Sequence, residues 1–451
     1  MNRESELLQT IAQRPLLRRV PYYLRMSGPG WLQGAMTLGG GSAITSLTIG
    51  GVYGYELLWV QPLAMLIGCV MLFALSHQTL STGVKPFSAM RDHLHPSLAW
   101  IWAVAALVSS VTWGFSHYSL SAGMLEEIIE VGSGFSLKGS PGFERESYLF
   151  LLAIFVWMLC AYTAWNYGAG GRAVRLFSTT IKILSCTIIL AFLWLVIKAS
   201  VAGQIDWGAV MAGYIPRSLP SDSQAVTTIM AALGSAVGIN MTFIYGYTLL
   251  DREWGPEHRE LARYDIVIGL VIPYLIVTAL ISIAAAGAFY GNDMSIQGKL
   301  SPDQAGAMFS DAGLGPVTGR LIFSFGILGM AVGSLVMHML CCGAVAGAMF
   351  DLRPHSHKYR LALLLPTPAV SGVFLWSTMG AYVILPISAI TGVLLPIAYI
   401  GWYLLNNSRH YLGNDRPKGR KRVIYNAAML LCILTVLASL VFSVGVKLDW
   451  F

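Results

Sequence analysis

The sequence predicts an all-α membrane protein: eleven transmembrane helices, built as two five-helix halves plus one further helix. Three observations predict it. The first is composition: of 451 residues 55% are hydrophobic and only 11% charged, where a soluble chain carries charge at about a quarter of its positions. The second is spacing. Apolar stretches long enough to cross a bilayer recur at 31–53, 56–80, 98–123, 147–167, 175–201, 224–250, 264–290, 317–350, 361–379, 382–405 and 424–446. The third is a pair of soft spots at matching places of the two halves. One is Gly39-Gly40-Gly41-Ser42 in the first helix; the other is Gly234-Ser235-Ala236-Val237-Gly238-Ile239-Asn240-Met241 in the sixth. Unwound backbone survives in a bilayer only where it is buried in protein or lines a cavity, and paired breaks of this kind mark an inverted repeat around a binding site.

In chain order, residues 1–30 form an arginine-rich segment (Arg3, Arg14, Arg18, Arg19, Arg25) with no apolar run before Trp31, so a cytoplasmic N-terminus without a signal peptide is expected. Residues 31–201 hold the first five helices and 202–405 the second five. Residues 406–451 hold a basic cytoplasmic loop and the eleventh helix. With the N-terminus inside, 22 of the 29 Lys and Arg residues fall on the inner side and 7 on the outer side or C-terminus. That asymmetry places the C-terminus outside. The outer loop after the third helix is acidic (Glu126, Glu127, Glu130, Glu144, Glu146), and the inner loop after the sixth carries mixed charge from Asp251 to Arg263. His77 falls near the inner end of the second helix.

Composition also excludes. All six cysteines lie inside apolar stretches, which argues against a disulfide framework and against paired-cysteine zinc sites. Glycine runs do not follow strands, so no nucleotide-binding loop is present. The net charge of +7 belongs to the inner loops and calls for no nucleic acid. No cofactor is expected; the partners expected are a small solute or ion and the lipid bilayer, with the chain a monomer in a bacterial-type plasma membrane.

Three segments resemble the Nramp (natural resistance-associated macrophage protein) family of proton-coupled divalent-metal transporters. They are Gly28-Pro29-Gly30-Trp31-Leu32 through Gly54-Tyr55-Glu56-Leu57-Leu58-Trp59-Val60 to Ser81-Thr82-Gly83, then Asp206-Trp207-Gly208 through Pro220 to Gly234, then Arg263-Tyr264-Asp265 into the seventh helix. The resemblance implies a LeuT-type fold with broken helices 1 and 6, and a transporter rather than an enzyme. The chain departs from the family where metal is held. The family's Asp-Pro-Gly-Asn reads Gly39-Gly40-Gly41-Ser42 here, and its Met-Pro-His reads Gly238-Ile239-Asn240. The acidic pair of the third helix is replaced by Val111 to His117, and the tenth-helix glutamine by Ser388 or a neighbour.

A divalent cation in mid-bilayer needs charge compensation or many oxygens, and this break offers no acid. Half-helices beginning near Ser42 and Asn240 would instead present free N–H groups and positive dipole ends. The expected substrate is therefore a small anion or zwitterion: a carboxylate, bicarbonate or an amino-acid-like molecule. It would be held by Gly39, Gly40, Gly41, Ser42, Thr45, Gly238, Asn240 and Tyr245. Lys182 in the fifth helix and His117 in the third are the coupling candidates, and snorkelling and plain packing are the competing readings of each. The run Met337-His338-Met339-Leu340-Cys341-Cys342 contains soft ligands, but neighbouring residues point about 100° apart on a helix, so it is read as packing. The alternatives are a divergent Mn²⁺ or Mg²⁺ transporter and a non-transporting Nramp-like receptor.

Overall fold

The computed structural model describes Ile11 and residues 15–140, 142–167, 172–217, 222–291, 302–309 and 313–447. Arg3, Arg14, Pro220 and Lys299 lie outside the described residues. Every regular element among those described is helical. A basic amphipathic helix, α1 (Leu16–Met26), leads into two half-helices, α2 (Pro29–Thr37) and α3 (Gly40–Tyr53). Then come α4 (Val60–Thr82), the short α5 (Pro86–His93), the 38-residue α6 (Pro96–Ser133), α7 (Gly142–Trp165), α8 (Arg172–Val201) and α9 (Trp207–Gly213). A second pair of half-helices follows, α10 (Ser223–Ala236) and α11 (Ile239–Asp251). Next are α12 (Arg259–Ile266), a π-turn at Val267–Val271, α13 (Ile272–Phe289), α14 (Pro302–Phe309) and the 35-residue α15 (Pro316–Phe350). The chain continues through α16 (His357–Ala362), α17 (Trp376–Met379), α18 (Ile384–Val393), α19 (Leu395–Asn407), α20 (Arg409–Leu412) and α21 (Gly419–Lys447).

Nine helical segments among the described residues are long and apolar enough to cross a membrane. The first expected helix is not among them, because the break leaves halves of 9 and 14 residues. The ninth and tenth expected helices fall in one segment, His357–Asn407. There the structure differs from a plain helix: Thr367–Leu375 is a 3₁₀ stretch. Pro366 and Pro368 supply no backbone N–H and so interrupt the α-helical ladder.

The two long helices form the spine, α15 lying along α6, while α3 packs on α13 and α10 on α18. Side chains such as Leu66, Leu151, Leu190 and Leu431 face outward, as lipid-facing positions require. Gly30 and Gly34, four apart on α2, bring its backbone against the carbonyls of Asp265 and Gly269, where a Cβ has no room. Small residues at this spacing are how membrane helices approach closely.

Both ends of the bundle are clasped by charge. At one end, the Asp265 carboxylate accepts the backbone N–H groups of Gly28 (2.9 Å) and Gly30 (2.5 Å) at the start of α2. Arg19 pairs with Glu260 nearby. At the opposite end Arg145 binds Glu126 through two nitrogens (2.9 and 2.8 Å). Arg320 of α15 meets Glu127 and Glu130 of α6, and Lys138 meets both (2.7 and 2.8 Å). Glu126, Glu127 and Glu130 are therefore neutralised locally, joining α6 to α7 and α15.

Candidate substrate site between the broken helices

Helix α2 ends at Thr37; Leu38 and Gly39 leave helical geometry, with Gly39 extended (φ −102°, ψ −172°). Gly40, Gly41 and Ser42 are thus not the unwound stretch but the first turn of α3, and their N–H groups have no partner within that helix. The second break is equally short: Val237 and Gly238 are extended between α10 and α11. Neither break glycine has a positive φ. Gly39, Gly40 and Gly41 serve close approach, since a Cβ at Gly39 would strike the Ser334 hydroxyl and one at Gly41 would sit 2.7 Å from the Trp113 ring.

The breaks enclose a cavity lined by Met36, Thr37, Gly39, Gly41, Ser42, Trp113, His117, Gly234, Ser235, Gly238, Asn240, Met241 and His338. The centre of a water-sized guest has about 20 Å³ in which to move, and one water needs roughly 10–15 Å³ on that measure. In this conformation the site therefore has room for a single ion or for one or two waters.

Three elements converge there. From α6, His117 places Nδ1 2.8 Å from the Trp113 carbonyl. A carbonyl only accepts, so Nδ1 carries the proton and Nε2 a free lone pair, the arrangement typical of a metal-ligating histidine. From α15, His338 stacks on Trp113 (centroids 5.9 Å apart, planes 11° apart) and stands 5.5 Å from the His117 ring. From α11, Asn240 donates through Nδ2 to His338 Nδ1 at 2.9 Å while its Oδ1 accepts from Met241 N at 3.0 Å. The Met241 sulfur sits 3.4 Å from both Thr37 Oγ1 and Gly238 N. Ser42 Oγ donates to the Thr37 carbonyl at 2.6 Å, and Thr37 Oγ1 to the Ala236 carbonyl at 3.0 Å, which ties each break to the other.

Of the residues expected from sequence, Gly39, Gly41, Ser42, Gly238, Asn240 and His117 line this cavity; Gly40 does not, and a Cβ there would meet the Leu120 side chain at 2.7 Å. Thr45, Tyr245 and Lys182 do not line it. Thr45 is wholly buried one turn further along α3, and the Tyr245 hydroxyl is buried away from the site; neither oxygen has a hydrogen-bond partner among the described residues. Lys182 is exposed on α8. His338, read from the sequence as packing, is buried, stacks on Trp113 and also stands in the cavity wall. Met241 adds a sulfur to that wall, at a residue not singled out from the sequence. Trp113, Met36 and Thr37 were not anticipated either. No group of three or more His, Cys, Asp or Glu suited to a metal exists among the described residues; the donor set is two imidazoles, thioether, amide, hydroxyls and carbonyls. All six cysteines are free.

A helical membrane bundle with two broken helices around a polar mid-bilayer cavity is the architecture of a secondary transporter. The comparisons make this particular. The family model described as natural resistance-associated macrophage protein-like matches residues 30–442, and the chain belongs to the Nramp family. It is 25% identical over 425 residues to the divalent metal cation transporter MntH of Brucella suis biovar 1 (strain 1330), covering 92% of this chain and 87% of that one. It is 22% identical over 367 residues to the metal transporter Nramp4 of Arabidopsis thaliana, covering 77% and 65%. Among solved structures, the manganese transporter of Eremococcus coleocola (mutant H236A) superposes with a TM-score of 0.67 at 16% identity, over 95% of this chain and 92% of that one. MhsT in complex with L-phenylalanine gives 0.59 at 13%, over 92% and 98%. The fold is LeuT-like, and the protein is a transporter, not an enzyme.

Proposed function

We propose that this Nramp-family transporter carries a divalent transition-metal ion, seated between His117, His338 and Met241, with Asn240 orienting His338 from behind the ring. One observation carries the proposal: two buried imidazoles, 5.5 Å apart, meet a thioether and an amide in a cavity of ionic size. Imidazole and thioether select borderline and soft ions over Mg²⁺ and Ca²⁺. The carbonyl ends of α2 and α10 add partial negative charge of about half a unit each. His117 is already set as a ligand. His338 becomes one when the Asn240 amide turns to accept from Nδ1–H, moving the ring proton off Nε2. The family's metal donors are thus replaced by side chains from other positions, two of them on helices 3 and 8. In keeping with the sequence, eleven crossings form two inverted five-helix halves in a bacterial-type inner membrane, N-terminus inside, and the chain acts as a monomer.

A second reading keeps a small anion such as bicarbonate. Two observations favour it: no carboxylate lines the cavity among the described residues, and His338, with Nδ1 accepting from Asn240, carries its proton on Nε2, in a wall shared with Gly41 and Ser42 of the first turn of α3. Uptake of Mn²⁺, Co²⁺ and bicarbonate into proteoliposomes separates the two. Saturable metal uptake lost in His117→Ala supports the metal reading; bicarbonate uptake without metal uptake replaces it with the anion.

A further inference from the structure

A second pair of histidines stands outside the lining of the central cavity, on the face that the basic loops assign to the cytoplasm. His93 ends α5 and His410 lies in α20; their Nδ1 atoms are 3.0 Å apart and the ring centroids 5.1 Å. Tyr411 packs beside His93 with centroids 5.0 Å apart, and its hydroxyl meets Thr82 Oγ1 at 3.2 Å, so the pair is held on a supported surface. His93 is half-buried and His410 exposed. Nitrogens this close share one proton or one metal. Two imidazoles bound cis to an octahedral ion at about 2.1 Å stand roughly 3.0 Å apart, and about 3.3 Å apart on a tetrahedral one.

We propose that His93 and His410 form a divalent-metal site of borderline ions (Zn²⁺, Ni²⁺, Co²⁺ or Cu²⁺), bound through both Nδ1 atoms with water completing the shell. Neutral imidazoles are the ligands here. The one that donates its Nδ1 proton shifts it to Nε2, so no proton need be released. Neighbouring carboxylates are already engaged, Asp92 with Arg91 at 2.7 Å and Asp415 with Arg259 at 2.6 Å. The site is therefore uncharged, and Arg91 and Arg409 stand close in sequence, which sets its affinity in the micromolar range rather than tighter. Occupancy would brace α5, between helices α4 and α6, against α20 at the foot of α19, coupling the metal level at this face to the stiffness of the bundle. The inference does not rest on the central site.

The test uses the full chain in detergent with any affinity tag removed. Ni²⁺ and Zn²⁺ are titrated by thermal shift and calorimetry, and Cu²⁺ is added for paramagnetic resonance. The proteins compared are the wild type, His93→Gln, His410→Gln, and a His117→Ala background that disables the central site. The expected result is micromolar binding retained in the His117→Ala background and weakened at least tenfold by either glutamine variant. A Cu²⁺ spectrum showing two nitrogen ligands should fall to one or none. Glutamine keeps a polar partner at each position, so unchanged melting temperatures without metal show the fold intact. In the His117→Ala background, binding of unchanged strength when either glutamine is added, or no binding below millimolar metal, overturns the proposal.

Discussion

Asn240→Asp separates a cation from an anion by sign. The Asn240 amide lies 2.9 Å from His338 Nδ1. A carboxylate there accepts Nδ1–H, fixes the tautomer that frees Nε2 for metal, and adds a unit of negative charge behind the ring. A metal on Nε2 would lie about 7 Å from that carboxylate; at an effective dielectric of about 20 the attraction for a divalent ion is about 5 kcal/mol. Burying the carboxylate costs several kcal/mol in return. The net expectation is metal affinity raised by about 10- to 100-fold, the range by which such supporting partners act on metal sites. A monovalent anion in the same place is repelled by about 2 kcal/mol, a weakening of roughly 30-fold or more. The assay is calorimetric titration of Mn²⁺, Co²⁺ and bicarbonate into wild type and variant. Co²⁺ is titrated in the His410→Gln background so that surface binding does not count. Metal affinity unchanged or lowered in a folded Asn240→Asp protein refutes the reasoning.

Four further expectations follow from the same geometry. His117→Ala removes the ligand already in the metal-binding tautomer, and metal affinity should fall at least tenfold in calorimetry. Gly41→Ala puts a methyl 2.7 Å from the Trp113 ring; proteoliposome uptake should drop by most of its value with the melting temperature little changed. Asp265→Asn weakens two charge-assisted bonds to the start of α2, worth roughly 1.5–3 kcal/mol each, and hydrogen exchange at Gly28 and Gly30 should quicken by tenfold or more. Tyr245→Phe removes a hydroxyl outside the cavity, and metal affinity should stay within twofold of wild type.

The two breaks were legible in the sequence because consecutive glycines and Gly238 weaken a helix wherever it lies. Asn240 and His117 followed from position beside them. Tyr245 could have been rejected by arithmetic: five residues on from Asn240 is a rotation of about 500°, or 140° away from it. Thr45 was misplaced for another reason. Three residues on from Ser42 it nearly shares a face, but it sits a turn deeper where α3 packs on α13. His338 and Trp113 were not legible as site residues, because the face a long helix turns inward is set by the packing of α15 along α6, which no local pattern reveals. Met241 lies three residues beyond Gly238, the position matched to the family's sulfur ligand, and the turn of α11 brings it to the cavity. The 3₁₀ stretch at Thr367–Leu375 had a visible signal in Pro366 and Pro368.

The central claim is that imidazole and thioether, rather than carboxylate, receive a metal ion between the broken helices. X-ray absorption of the Co²⁺-loaded His410→Gln protein tests this most directly. Two imidazole ligands and one sulfur scatterer are expected, with the imidazole signal halved in His338→Ala. A cobalt surrounded by oxygen alone, or no retained cobalt at all, would contradict it.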